Sequence, residues 1–317
     1  GTDINLTVDG LPVNMVSHAH GQGYADLHFV IPEIIGNVEF KKGPYYADAG
    51  DFTTAGLVRF KTSDALDNSF VKVEGGQFST ARAVGGFNLL GKNAARRNQH
   101  AYIATETFFS DGYFDSPQNF RRLNLFGKYS ALIDDEQRVS FSASAFQSFW
   151  NASGQVPERA VNSGLIGPFG AIDDNEGGIT SRYNFNFEHV KNLKGNALFK
   201  NQVYYTDYAF ELYSNFTFFL NEPEKGDEIR QKEHRRIFGY NGAIQREGLL
   251  AGKRLSTEAG LFLRNDDVND VELSRTQQRR TTQYPIALGD VNETNAGVYG
   301  SASWGIAPRL TLNAGAR

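Results

Sequence analysis

From Ser69 onward, the chain is a series of segments in which apolar and polar side chains alternate, separated by turns, and this pattern limits it to very few folds. Val139, Phe141, Ala143 and Ala145 fall on one parity, with Ser140, Ser142, Ser144 and Ser148 on the other. Tyr183, Phe185 and Phe187 oppose Arg182, Asn184, Asn186 and Glu188. Leu255, Thr257, Ala259, Leu261 and Leu263 oppose Ser256, Glu258 and Arg264; Ala296, Val298, Ala302 and Trp304 oppose Asn295, Ser301 and Ser303. Successive strand residues point to opposite faces, so a period of two marks strands, and a helical period fits none of these segments. The spacing predicts about eleven strands, near 69–78, 80–90, 99–109, 121–131, 137–149, 180–190, 196–212, 234–247, 253–265, 294–305 and 309–317.

The connections alternate in length as well. Short ones fall at Asp134-Asp135, Lys191–Gly195, Gly248–Gly252 and Ala307-Pro308; long ones run over 150–179, 213–233 and 266–293, with a shorter one at 110–120. A soluble sandwich has short turns at both ends, whereas a transmembrane barrel has tight turns at one end and long loops at the other. Aromatic residues gather toward strand ends (Phe108, Phe109, Phe149, Trp150, Tyr204, Tyr205, Trp304), as interfacial girdles require. No run approaches 18 apolar residues, which excludes a helical span. The mean hydropathy of -0.43 is compatible with a membrane barrel, because only alternate residues face lipid.

Composition removes several function classes. With no cysteine there is neither a disulfide framework nor a thiolate metal site. A net charge of -4 gives no basic surface for nucleic acid. G-x-S-x-G, H-E-x-x-H and P-loop patterns are absent, and Asp134-Asp135, Asp173-Asp174 and Asp266-Asp267 sit in turn contexts that favour aspartate for backbone reasons. No enzyme, resident cofactor or structural metal is expected.

The N-terminal 62 residues have a different texture. Val8-Asp9-Gly10-Leu11-Pro12-Val13 is followed by Ile34, Val38, Glu39, Lys42, Gly43, Pro44, Ala47, Gly50, Ala55, Gly56, Leu57, Val58, Lys61 and Thr62. These two motifs, in this order and at this separation, resemble the end of the plug domain of TonB-dependent outer-membrane receptors. The resemblance is specific over residues 8–62 and architectural beyond. It implies a C-terminal plug portion (1–62, small α+β), a linker (63–68) and the N-terminal half of an all-β barrel of about 22 antiparallel strands (69–317). The chain is accordingly expected to be a fragment, without the TonB-contacting segment and the later strands. The resemblance gives Asp9, Gly10, Pro12, Glu39, Lys42, Gly43, Pro44, Gly50 and Gly56 a structural role, with Glu39 and Lys42 expected to pair with charges on the inner barrel wall.

It also implies an outer-membrane location, outer-membrane lipid and lipopolysaccharide as surroundings, the TonB complex as energy-transducing partner, and a scarce nutrient as ligand. A metal chelate such as a ferric siderophore heads the candidates, with cobalamin or an oligosaccharide as alternatives. A passive porin or barrel adhesin accounts for the alternation but not for residues 8–62, and a barrel hydrolase needs a Ser/His/Asp cluster. Between the two motifs, Ser17–His28 carries His18, His20, Gln22, Tyr24, Asp26 and His28. Two readings stand: the side chains contact ligand at the plug apex, or Gly21 and Gly23 shape a turn whose polar groups satisfy plug and wall. Arg279-Arg280 in the outer connection is expected to be solvated. Val71, Val73, Leu123, Leu125, Phe141, Tyr183, Phe185, Leu261 and Val298 are expected to face lipid. Lys72, Glu74, Asn124, Ser142, Asn184, Glu188 and Glu258 are expected to face the lumen.

Overall fold

The computed structural model describes residues 1–317. Residues 1–62 build their own four-stranded sheet from β1 (Ile4–Val8), β2 (Leu11–Pro12), β3 (Ile35–Lys42) and β4 (Gly56–Thr62), in the order β2-β1-β4-β3. The β1–β4 pair is parallel and the other two are antiparallel. The helical content of this unit is one 3-10 turn, Pro32–Ile34.

Asp9 and Gly10 join β1 to β2 with φ of 49° and 78°. Two positive values suit the tight hairpin turn whose twist matches its strands. A Cβ on Gly10 would also lie 2.5 Å from Gln202 Oε1 of the barrel wall, so backbone conformation and close approach both select glycine. The Asp9 carboxylate accepts from the Thr62 amide at 2.9 Å and the Thr62 hydroxyl at 2.6 Å, fastening the turn to the end of β4. At Gly56, φ is 148° and a Cβ would meet the Lys41 carbonyl oxygen at 2.2 Å. The turn and closing motifs are therefore backbone devices.

All eleven alternating segments form strands of one second sheet. They are β5 (Phe70–Gly75), β6 (Ala81–Asn88), β7 (Gln99–Ser110), β8 (Phe120–Asp134), β9 (Gln137–Asn151), β10 (Gly177–Leu193), β11 (Ala197–Ser214), β12 (Ile229–Leu250), β13 (Lys253–Gln277), β14 (Thr281–Ala307) and β15 (Leu310–Ala316). Each pairs antiparallel with its sequence neighbour, from β5 at one edge to β15 at the other. Two short helices, α1 (Lys92–Ala95) and α2 (Glu158–Asn162), lie in connections.

The faces divide as the alternation predicts. All nine residues expected on the lipid side are exposed, including Val71 and Val298 at 70% and 71%, while Asn124, Ser142 and Asn184 are buried on the opposite face. Lys72 reaches Glu33 of the plug at 3.4 Å, and Glu188 lies 3.1 Å from Arg138 and 3.8 Å from Lys61. Slipping any strand by one residue would exchange these sets, so the register is strongly specified.

The expected long connection at 266–293 is absent. β13 continues to Gln277 and β14 starts at Thr281, leaving a three-residue tip and a tall hairpin. Its register shifts at Val268/Val271, Leu273/Ser274 and Arg275/Thr276. Alternation is lost there because polar residues occupy both parities, as in Asn265-Asp266-Asp267 and Asn269-Asp270. Its buried residues Asp266, Ser274 and Thr276 are themselves polar, so side-chain period cannot reveal the hairpin.

Candidate functional site: the plug–wall interface and the Ser17–His28 loop

The plug meets the concave side of the large sheet through two apolar contacts. Leu11 and Met15 pack on Tyr204, Tyr208, Phe210 and Ile237; Ile31 and Ile34 pack on Val84, Tyr102 and Ala104. Around them the wall supplies side-chain donors to plug carbonyls that no strand partner serves. Arg182 donates to Pro12 O at 2.7 Å, Gln202 to Asp9 O at 2.6 Å, Arg264 to Asn14 O at 3.1 Å and Asn124 to His28 O at 2.9 Å. A buried carbonyl without a partner is costly, so each donor contributes to holding irregular plug backbone in place.

Two charge networks reinforce the junction. The Arg82 guanidinium binds both oxygens of Glu33 at 2.6 Å and also Glu106 Oε1 at 2.5 Å, while Arg122 reaches the same Glu106 oxygen at 2.9 Å. The hydrogen bond from Arg82 is the largest influence on Glu33 and holds its pKa down to about 2. In the second network, fully buried Arg235 donates to Glu233 Oε1 at 3.0 Å, to Asp266 Oδ1 at 2.8 Å and to the Ser17 carbonyl. Arg264 binds both Asp266 oxygens at 2.6 and 2.9 Å.

The wall pairing expected for Glu39 and Lys42 is not formed. Glu39 pairs within the plug, with Lys41 at 2.9 Å and Arg59 at 3.4 Å, and Arg59 also binds Asp48 at 2.6 Å. Lys42 is exposed at the end of β3. Both lie on the strand at the outer edge of the plug sheet, away from the plug carbonyls that the wall serves. The residues that do form the junction (Glu33, Arg82, Arg182, Arg235, Arg264) escaped motif reading. Their available signal was an arginine at a lumen-parity position, where Ser and Asn otherwise prevail.

The Ser17–His28 loop lies toward the end of the barrel from which the longer connections project. Its contacts are with residues near the β11–β12 connection and with the start of β8: Phe210, Gln231 and Glu233 on one side, Phe120 on the other. Its side chains separate into two groups. The His18 ring is fully covered: stacked on Tyr24 at 4.3 Å, 3.2 Å from the Tyr208 hydroxyl and 3.9 Å from Glu233. Burial, followed by the Arg235 charge, lowers its pKa to about 3, so the ring is neutral and its titration lies far below the ordinary range. The backbone turns between His18 and His20, with the His20 amide donating to His18 Nδ1 at 3.0 Å, so the two rings have different surroundings. His20, Gln22 and His28 are exposed. His20 Nδ1 lies 3.0 Å from Gln231 Oε1, and His28 Nδ1 lies 2.8 Å from Asp26.

A polar gap of about 840 Å³ separates the plug sheet from β10–β14, lined among others by Asn5, Asn37, Arg59, Lys200, Asn241 and Asn295. The β6–β9 side of the wall is bolted to the plug by the Glu33–Arg82 network and by Lys128, which donates to Thr62 O at 3.1 Å.

No protein-family model and no curated protein matches the sequence. Solved structures do. The ferripyoverdine receptor of the outer membrane of Pseudomonas aeruginosa superposes with a TM-score of 0.75 at 10% identity, over 98% of this chain and 44% of that one. The ferric citrate transporter FecA gives 0.74 at 9%, over 99% and 54%, and the copper transporter OprC gives 0.70 at 14%, over 99% and 46%. The chain thus spans about half the length of the structures it matches. Its fold is that of the plug-bearing part of a TonB-dependent outer-membrane receptor, with 11 barrel strands and a separate plug sheet. The matched proteins are receptors and transporters, not enzymes.

Proposed function

We propose that this chain is the plug end and first barrel half of an outer-membrane receptor for TonB- and proton-motive-force-dependent uptake of a scarce nutrient, most favourably a ferric siderophore or a similar metal chelate. One observation carries this reading above a passive pore: a separately folded sheet sits on the concave face and is fastened to it by buried arginine networks. A free-running porin has no such obstruction, whereas an obstruction held by ion pairs and carbonyl bonds can be moved by work done on it. The polar gap beside β10–β14 supports a route for a hydrophilic solute between plug and wall. The metal-chelate preference rests on the ligands named for the similar structures, a ferripyoverdine, ferric citrate and copper.

Within this reading His20, Gln22 and His28 are the ligand-facing side chains of the plug loop, because they are exposed at the loop end of the barrel. His18 and Tyr24 stand behind them and hold the loop against Phe210. Uptake of iron-55 as ferric hydroxamate, catecholate and citrate chelates, and of labelled cobalamin and maltodextrin, tests the proposal in cells with and without the gene. Gene-dependent accumulation of one ferric chelate, abolished by a protonophore, is expected. Gene-dependent entry of all small solutes that ignores the protonophore would make the protein a passive pore; energised uptake of cobalamin or maltodextrin alone would replace the chelate.

A further inference from the structure

Residues from several strand ends converge where the longer connections leave the barrel. Asp173 and Glu176 precede β10, Asn215 follows β11, Glu228 precedes β12, and Arg279 sits at the β13–β14 tip. Asn215 Nδ2 donates to Asp173 Oδ2 at 2.7 Å; Thr276 Oγ1 and the Arg279 amide donate to Glu228 Oε1 at 2.8 and 3.0 Å. The Arg279 guanidinium donates to the carbonyls of Asn175 and Glu176, so this arginine is folded inward rather than solvated as expected. Glu176, Asn215 and Glu228 are only 4%, 1% and 2% exposed. Even so, Glu176 Oε1, Glu228 Oε2 and Asn215 Oδ1 have no hydrogen-bond partner.

Three buried acceptor oxygens without donors are an unstable arrangement unless something positive joins them. The charges point the same way. Arg279 is the cation set against Asp173, Glu176 and Glu228, a formal excess of two negative charges; nearby Arg275 is matched by Asp227, and Arg230 by Glu272 and Glu211. We infer that Glu176 Oε1, Glu228 Oε2 and Asn215 Oδ1 bind one divalent hard cation of the calcium type. All three are hard oxygen donors, as such ions require, and the excess charge equals the ion's. No three acidic or imidazole groups stand together as ligands, so the site uses two carboxylates, one amide oxygen and water. A bound ion would tie the ends of β10, β11 and β12 together and brace the 152–176 connection, whose Ala152 amide donates to Glu176 O at 2.8 Å.

Terbium(III) luminescence tests this on the intact outer-membrane protein in detergent, with excitation through Trp150 and Tyr213, which flank Gly178 and Arg279 respectively. Saturable emission of one equivalent, displaced by calcium, is expected at pH 7.5. Glu176→Gln and Glu228→Gln should each weaken it at least tenfold, while Glu247→Gln at the opposite barrel end should not. In wild-type protein, calcium should also slow proteolysis within 152–176 relative to EDTA, a readout that survives misfolding of either variant. Absence of saturable emission, or equal affinity in all variants, overturns the site. Protection of the loop in EDTA by acidification alone, with no calcium effect, overturns it in favour of a shared proton.

Discussion

Arg235 is the residue whose loss should most loosen the plug. Its guanidinium is fully buried between Glu233 and Asp266 and also holds the Ser17 carbonyl, so Arg235→Leu leaves carboxylate charge and a plug carbonyl stranded. Breaking one side of a buried pair costs roughly 3–5 kcal/mol. Arg264 still binds Asp266 and the Ala19 amide still binds Glu233 at 2.7 Å, so the lower end of that range is the better expectation. At about 1.4 kcal/mol per decade, local opening of the loop should rise roughly 10²–10³-fold. Hydrogen exchange at the Met15 and Gly23 amides reads this directly, since they bond to Tyr24 O and Met15 O at 2.9 and 2.8 Å. Arg235→Lys keeps the charge but loses the planar fork and should fall between. Arg236→Leu is the control: it is the same substitution one residue on, on the other face, where the side chain is half-exposed. An Arg235→Leu effect under tenfold, or one no larger than that of Arg236→Leu, would refute the claim that this network fastens the plug.

Acid should loosen the same loop through His18. Its folded pKa of about 3 lies below the ordinary 6.5, so the stabilisation by the neutral ring is complete above pH 6.5 and is lost progressively as pH falls toward 3. Exchange of residues 15–24, corrected for intrinsic rates, should accelerate over that window, and His18→Gln should flatten the dependence; an unchanged profile in the variant would remove His18 as its cause. Phe185 lies at the middle of β10 on the outward face, so Phe185→Arg should destabilise the barrel in lipid vesicles by about 2–4 kcal/mol, as measured by urea titration. A cost below about 1 kcal/mol would contradict the lipid-facing register.

Much of this architecture was legible from residue order alone. Period-two alternation located all eleven barrel strands and assigned their faces, because burial of one face imposes the pattern locally, residue by residue. The Asp9-Gly10 turn and Gly56 were legible through the family resemblance, and the structure supplies the physical reason: a positive φ or a close backbone contact admits little else. The β13–β14 hairpin was not legible, because its buried residues Asp266, Ser274 and Thr276 are as polar as the residues between them, which erases the period. The plug fastenings were not legible either. Arg182, Arg235 and Arg264 meet Pro12, Ser17 and Asn14 across sequence separations of 170, 218 and 250 residues. No local pattern encodes which carbonyl a distant guanidinium will find. The same holds for His18, which reads in sequence as the twin of His20. Only the arrival of Tyr208, Phe210 and Glu233 from the wall buries one ring and leaves the other in solution.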